Sequence, residues 1–166
     1  MGEEASKNEN GGGASVSAGA FPVASTSSGR KRIFIASSRE ARSGPDRVSP
    51  VIQALEAAGL AAVPWWDEFP PGQYTLDRLL ELTREVDGAI FIATADDKRL
   101  VRDTETQAPR DNVVFELGMF AAALGPQRSY ILKERAAQIP SDLAGLTYLQ
   151  IDGDITATAK KAAQNL

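Results

Sequence analysis

A chain of 166 residues, 43% hydrophobic and 24% charged, has ordinary globular composition and the length of one domain with a substantial core. Its 18 basic and 22 acidic residues leave a net charge of −4, so the non-specific attraction to phosphate backbones has nothing to work with and nucleic acid is not expected as a main partner. Cys and His are both absent, which excludes disulfides, thiolate nucleophiles, the usual zinc sites and Ser-His-Asp or Cys-His catalysis, and leaves carboxylates, hydroxyls, Lys, Arg and Tyr for any chemistry.

Residues 1–30 read as a flexible Gly/Ser-rich tail or linker without a signal peptide, and the folded domain is expected over 31–166. No apolar run approaches the roughly 20 residues that span a bilayer, so the expected setting is cytoplasmic and away from membranes. Arg32 to Ala36 is a short apolar run ending in Ser37-Ser38, a buried strand feeding a polar loop. Val48, Val51, Ile52, Leu55 and Leu60 recur at helical spacing, with Gly59 placed to end the helix. Leu60 to Trp65 reads as a second strand. Thr75 is positioned to cap the next helix, whose Leu76, Leu79, Leu80, Leu82 and Val86 are expected to face inward.

Gly88 to Ala93 is apolar throughout and therefore expected at the centre of a sheet covered on both faces. A polar loop from Thr94 to Pro109 leads to an apolar helix over Asn112 to Leu124, with Asp111 as its cap and Gly125-Pro126 as its stop. Strands at Ser129 to Leu132 and Tyr148 to Ile151 follow, separated by a short turn at Pro140 to Leu143, and Ala157 to Leu166 is mildly helical. This alternation is that of an α/β three-layer sandwich with a five-stranded parallel sheet in the flavodoxin-like order 2-1-3-4-5. Ligands in such sheets bind where the strand order reverses, so the loops at Ser37, Thr94 and Asn112 are expected to converge.

Glu116 is the single charged residue between Asn112 and Leu124, in a helix apolar on every side and therefore expected to be buried. A carboxylate there is protonated, paired with an Arg, or turned to a polar cavity, and Asn112, four residues earlier, shares its face. Ser37, Ser38 and Arg39 offer hydroxyls, amides and a guanidinium suited to phosphate oxygens, or equally a helix cap beside a solvated Arg. Arg110 can reach Glu116 or an anionic ligand. Of the adjacent Trp65 and Trp66, one is expected to border the loop, because neighbouring strand residues point to opposite faces. Asp96-Asp97 could meet a ribose or a cation, without further ligands that would mark a metal site.

The run from Arg32 to about Asp152 resembles the bacterial TIR-like family that includes the effectors of CBASS and Pycsar anti-phage systems. The carriers are Ile33 to Glu40, Trp66 with Phe69-Pro70-Pro71-Gly72, Ala89 to Ile92 leading to Asp96-Asp97, Pro140 to Gly145 and, most specifically, Ala108 to Gly118. Ala95 stands where the family often has Pro. The resemblance implies hydrolysis of NAD+ at the nicotinamide–ribose bond with Glu116 as the catalytic residue. NAD+ is then the substrate, with no separate cofactor and no metal. Ser37, Ser38, Arg39, Trp66, Arg110 and Asn112 form the expected substrate-binding set. It further implies activation by self-assembly with other TIR domains, under a cyclic-nucleotide sensor domain or protein. A non-catalytic TIR binding or assembly module and a nucleoside deoxyribosyltransferase-like enzyme are the alternatives; a flavodoxin-like electron carrier is disfavoured by the same resemblance.

Overall fold

A computed structural model describes residues 29–69, 71–101, 103–143 and 145–166. The expected tail, up to residue 28, lies outside the described residues. Five parallel strands form the sheet: β1 (Arg32–Ser37), β2 (Ala61–Pro64), β3 (Gly88–Ala93), β6 (Ser129–Glu134) and β7 (Thr147–Ile151), in the order β2-β1-β3-β6-β7. Leaving out the separate hairpin β4 (Asp97–Val101) and β5 (Thr104–Ala108), this is the expected 2-1-3-4-5 arrangement. Strand β1 pairs with β2 on one side and β3 on the other, from Ile33 opposite Gly88 to Ser37 opposite Ile92. The order therefore reverses at β1, beyond whose carboxyl end Ser38 follows.

Alternation along the strands sorts the core into two layers. Ile33, Ile35, Ile90, Ile92 and Leu132 pack beneath α2 (Ser49–Ala57) and α5 (Ile155–Asn165). Phe34, Phe91 and Ile131 point the other way, toward α3 (Thr75–Glu85) and α4 (Asp111–Leu124). Gly59 (φ 79°) and Gly125 (φ 86°) turn the chain out of α2 and α4 in the left-handed region where a side chain would be strained. Among the described residues, no helix is long and apolar enough to cross a membrane.

Four local expectations are corrected. The polar stretch after β3 is not a loop: β4 and β5 pair antiparallel, with Asp103 at φ 63° in the turn and Lys98 bridging Glu105 at 2.7 Å. Its strands, DKRLV and TETQA, are mostly charged and polar and Leu100 is exposed, so no alternating buried face announces them. Thr75 and Asp111 are the first residues of their helices, not caps; Tyr74 and Arg110 hold the cap positions without a side-chain cap bond, and Asp111 is ion-paired with Arg99 of the hairpin. In α3 the inward face is Leu79, Leu82 and Thr83, followed by Val86, whereas Leu76 and Leu80 are exposed. Finally, α4 is not wrapped on all sides, since Phe115 is 57% exposed. Apolar composition specifies burial only where a neighbour covers the face.

Arg78 fastens the segment after β2 to α3. Its guanidinium contacts Glu68 at 2.6 Å, Glu85 at 2.8 Å and Glu81 at 3.2 Å, and Nε donates to the Glu68 carbonyl at 3.0 Å. These acids raise the Arg78 pKa, led by the hydrogen bond that Arg78 donates to Glu85. Arg78→Ala is expected to cost about 1–2 kcal/mol in denaturant unfolding, because it strands several charge-assisted bonds at a mostly buried guanidinium. Arg78→Lys should recover only part of this loss, since an ammonium cannot reproduce the fork.

Candidate active-site cleft

The carboxyl end of β1, the turn after β2 and the start of α4 enclose a cleft of about 430 Å³ lined by Ser37, Ser38, Arg39, Glu40, Trp65, Arg110 and Asn112. It occupies the end of the sheet where strand order reverses, as parallel topology requires. Of the expected binding set, Ser37, Ser38, Arg39, Arg110 and Asn112 come together here. Trp66 does not.

The exchange of tryptophans follows from strand periodicity. Ala62 and Trp66 pack with the α2/α5 layer, whereas Val63 and Trp65 belong to the α3/α4 layer, so the period of two persists past the end of β2 (Ala61–Pro64) into the short turn Trp65–Asp67. Trp66 lies under the Arg42 guanidinium, 4.4 Å from its ring centroid. Trp65 meets Trp66 edge-on at 6.2 Å and Phe69 at 6.1 Å, and contributes the aromatic wall of the cleft. Once the Glu116 helix is assigned to the Val63 layer, the same alternation identifies Trp65 as the cleft residue.

The two serines do different work. Thr94 at the end of β3 donates to Asp96 Oδ2 at 2.6 Å, so Ser38, whose Oγ is 3.2 Å from Thr94 Oγ1, donates to Thr94. Ser38 Oγ also accepts from the Ala41 amide at 3.1 Å. This chain ties the ends of β1 and β3 together and commits Asp96 to it. Ser37 Oγ is buried with no hydrogen-bond partner among the described residues.

The charges at the mouth are arranged in pairs. Arg110 is ion-paired with Glu40, the first residue of α1 (Glu40–Ser43), and its Nε lies 3.6 Å from Asp97 of the hairpin. It does not pair with Glu116. Both acids of Asp96-Asp97 are thus engaged within the protein. Glu40, like Trp65, is a cleft residue missing from the expected set; its place directly after Ser37-Ser38-Arg39 at a strand end was the available signal. Arg39 is exposed and has no acidic partner among the described residues.

Glu116 lies one turn further along α4 than Asn112, on the same helical face, and is not itself among the residues that line the cleft. It is 9% exposed, and among the described residues no side chain or amide bonds to its carboxyl. Burial alone pushes its pKa up to about 7. The expectation of a buried residue holds, and the buried salt bridge is not formed. Among the described residues no group of three or more acidic side chains is arranged to hold a metal ion. An under-solvated carboxyl one helical turn from a cleft with guanidinium groups at its mouth can hold hydroxyls of a ligand and oppose positive charge that develops on it, while the arginines meet anionic groups outside.

Comparison with known proteins bears on this arrangement. Residues 32–153 match the family model described as "CAP12/Pycsar effector protein, TIR domain". The chain is 40% identical over 120 residues to CD-NTase-associated protein 12 of Sphingobacterium faecium, covering 71% of this chain and 35% of that protein. It is also 40% identical over 120 residues to the Pycsar effector protein BcPycTIR of Burkholderia cepacia, covering 70% of this chain and 38% of that protein. A shorter match, 46% identical over 81 residues, is to the Pycsar effector protein PaPycTIR of Pseudomonas aeruginosa, covering 48% of this chain and 26% of that protein. The matched region thus spans well under half the length of these relatives. With the five-stranded sheet in the expected order, the match over nearly the whole folded region makes this chain a member of the CAP12/Pycsar effector TIR-domain family.

Proposed function

We propose that this domain hydrolyses NAD+ to nicotinamide and ADP-ribose or its cyclised form, as the toxic output of an anti-phage effector. The observation that carries the reading is Glu116: a buried carboxyl one helical turn from the cleft residue Asn112, with no internal partner among the described residues. A purely structural acid in that place would be expected to have found an arginine, and Arg110 is close enough in sequence to have served. The chemistry needs little more. Nicotinamide leaves as a neutral molecule from a cationic ring, so no general acid is required, and a carboxylate facing the ribose can hold its hydroxyls and stabilise positive charge as the glycosidic bond breaks. Water then takes the anomeric carbon and gives up a proton; in cyclisation a hydroxyl of the same molecule does so, or an adenine ring nitrogen bonds the carbon through its lone pair and the base keeps the positive charge or sheds a proton from its exocyclic amine. Trp65 offers a flat apolar wall for a ring, and Arg39 and Arg110 offer charge for the diphosphate.

Self-assembly fits the exposed apolar side chains Leu76 and Leu80 on α3 and Phe115 on α4, which a neighbouring copy would cover. The input that drives it is assigned to a cyclic-nucleotide sensor outside this domain, in keeping with the greater length of the relatives. Nicotinamide release from NAD+ tests both parts. The rate per molecule is expected to rise with protein concentration. Below pH 7 it should fall about tenfold per pH unit, as Glu116 takes up a proton, and it should level off above. No release at any concentration, with NAD+ still bound, would favour either a binding module or an enzyme that needs its activator; release from nucleosides but not from NAD+ would make it a deoxyribosyltransferase-like enzyme.

A further inference from the structure

We propose that Glu40 is a built-in competitor for the substrate at Arg110: its carboxylate occupies the guanidinium that the diphosphate of a dinucleotide would otherwise take, and so limits how tightly the cleft holds its ligand. The proposal rests on the dinucleotide reading for the nature of the ligand, and on geometry for the competition. Glu40 and Arg110 both line the cleft, come from segments on different sides of it, and are ion-paired with one another. Each side chain is 44% exposed, so the pair stands open to whatever enters.

A guanidinium presents its N–H groups as a planar fork that carboxylate and phosphate engage with the same geometry, so the two are direct alternatives. An exposed ion pair contributes little to stability and is readily exchanged for a more highly charged partner. Arg110 is moreover doubly engaged, with Asp97 at 3.6 Å from Nε. Arg39, by contrast, has no acid on it among the described residues and can meet an anion without displacing anything. The Glu40 carboxyl is held below its ordinary range by its own backbone amide first and by Arg110 next, so it stays charged as a competitor at neutral pH.

The consequence is a variant that binds better than the natural protein. Calorimetric titration with ADP, which carries the diphosphate but no scissile nicotinamide bond, is performed on the unaltered protein, Glu40→Gln, Arg110→Ala and the double variant, at low and high salt. Glu40→Gln is expected to bind ADP about three- to tenfold more tightly at low salt, with the gain shrinking at high salt. Arg110→Ala should abolish that gain, so that the double variant binds no better than Arg110→Ala alone. Asp97→Asn should show a smaller gain of the same kind.

Unchanged or weaker binding by a folded Glu40→Gln overturns the proposal, because Glu40 would then be holding Arg110 ready for the ligand. An equal gain without Arg110 also overturns it, since simple repulsion would suffice. Absence of ADP binding to all four proteins overturns the diphosphate subsite itself. Failure of NAD+ cleavage even in the assembled protein, with this binding pattern intact, would refute the hydrolase reading and leave the competition standing.

Discussion

Glu116→Gln is expected to lower nicotinamide release from NAD+ by about 100- to 1000-fold and, at pH 8, to make the protein more stable than its parent by about 2 kcal/mol. The two effects have one origin. Burial raises the folded-state pKa of Glu116 to about 7 from 4.5. Between those values the unfolded chain is ionised while the folded one keeps its proton, so the stability contributed by this group falls as pH rises through the interval. Above pH 7 the full penalty persists, because the folded protein holds a desolvated charge. A shift of that size corresponds to roughly 3 kcal/mol, and a buried glutamine amide, which also lacks partners, returns about a third of it. Below pH 4.5 the carboxyl is neutral in both states and the variant should have no advantage. Denaturant unfolding of both proteins at pH 4 and pH 8, beside the nicotinamide assay, checks each arm. An inactive variant with no gain at pH 8 would mean that the carboxyl finds solvation or a partner; a variant of full activity would remove Glu116 from the reaction.

How the sequence encodes this site differs from residue to residue. Glu116 was legible because one charge in a long apolar helix is an anomaly whatever surrounds it, and β3 was legible because an unbroken apolar run has few other places to go. The sheet order followed from alternation and crossover handedness, neither of which depends on side-chain detail. What sequence reasoning missed depends on which surfaces have neighbours. Leu76 and Leu80 carry the same helical period as Leu79 and Leu82, and only the position of α4 and the sheet separates the buried pair from the exposed pair. The β4/β5 hairpin carries no apolar stripe, being held by its own ladder, by the ion pairs Arg99–Asp111 and Asp97–Arg110, and by the Gln138 amide donating to the Gln107 carbonyl at 2.8 Å. Its existence left no periodic trace. Trp65 and Trp66 were distinguishable in principle, but only after the layer of each helix was assigned.

Phe120→Ala is the second change with a large expected effect, about 3–5 kcal/mol of unfolding free energy. Phe120 is fully buried and stacks on Phe34 of β1 with ring centroids 4.4 Å apart, while meeting Phe91 of β3 edge-on at 5.8 Å. These three rings seat α4 on β1, whose carboxyl end frames the cleft, and on the neighbouring β3. Truncation leaves a cavity that close-packed neighbours fill only in part and forfeits the aromatic contacts besides, a loss comparable with much of a domain's whole stability. Phe120 is also one turn beyond Glu116 on the same helical face, so the variant should lose catalytic rate even at temperatures where it remains folded. Phe120→Leu should keep most of both. Phe115, one residue before Glu116, provides the contrast: at 57% exposure its replacement by Ala should change monomer stability by less than about 0.5 kcal/mol. Activity lost in Phe115→Ala with stability and NAD+ binding intact would place that face of α4 in the contact between copies. Activity retained at every protein concentration would exclude this face from the assembly and confine the role of α4 to carrying Glu116.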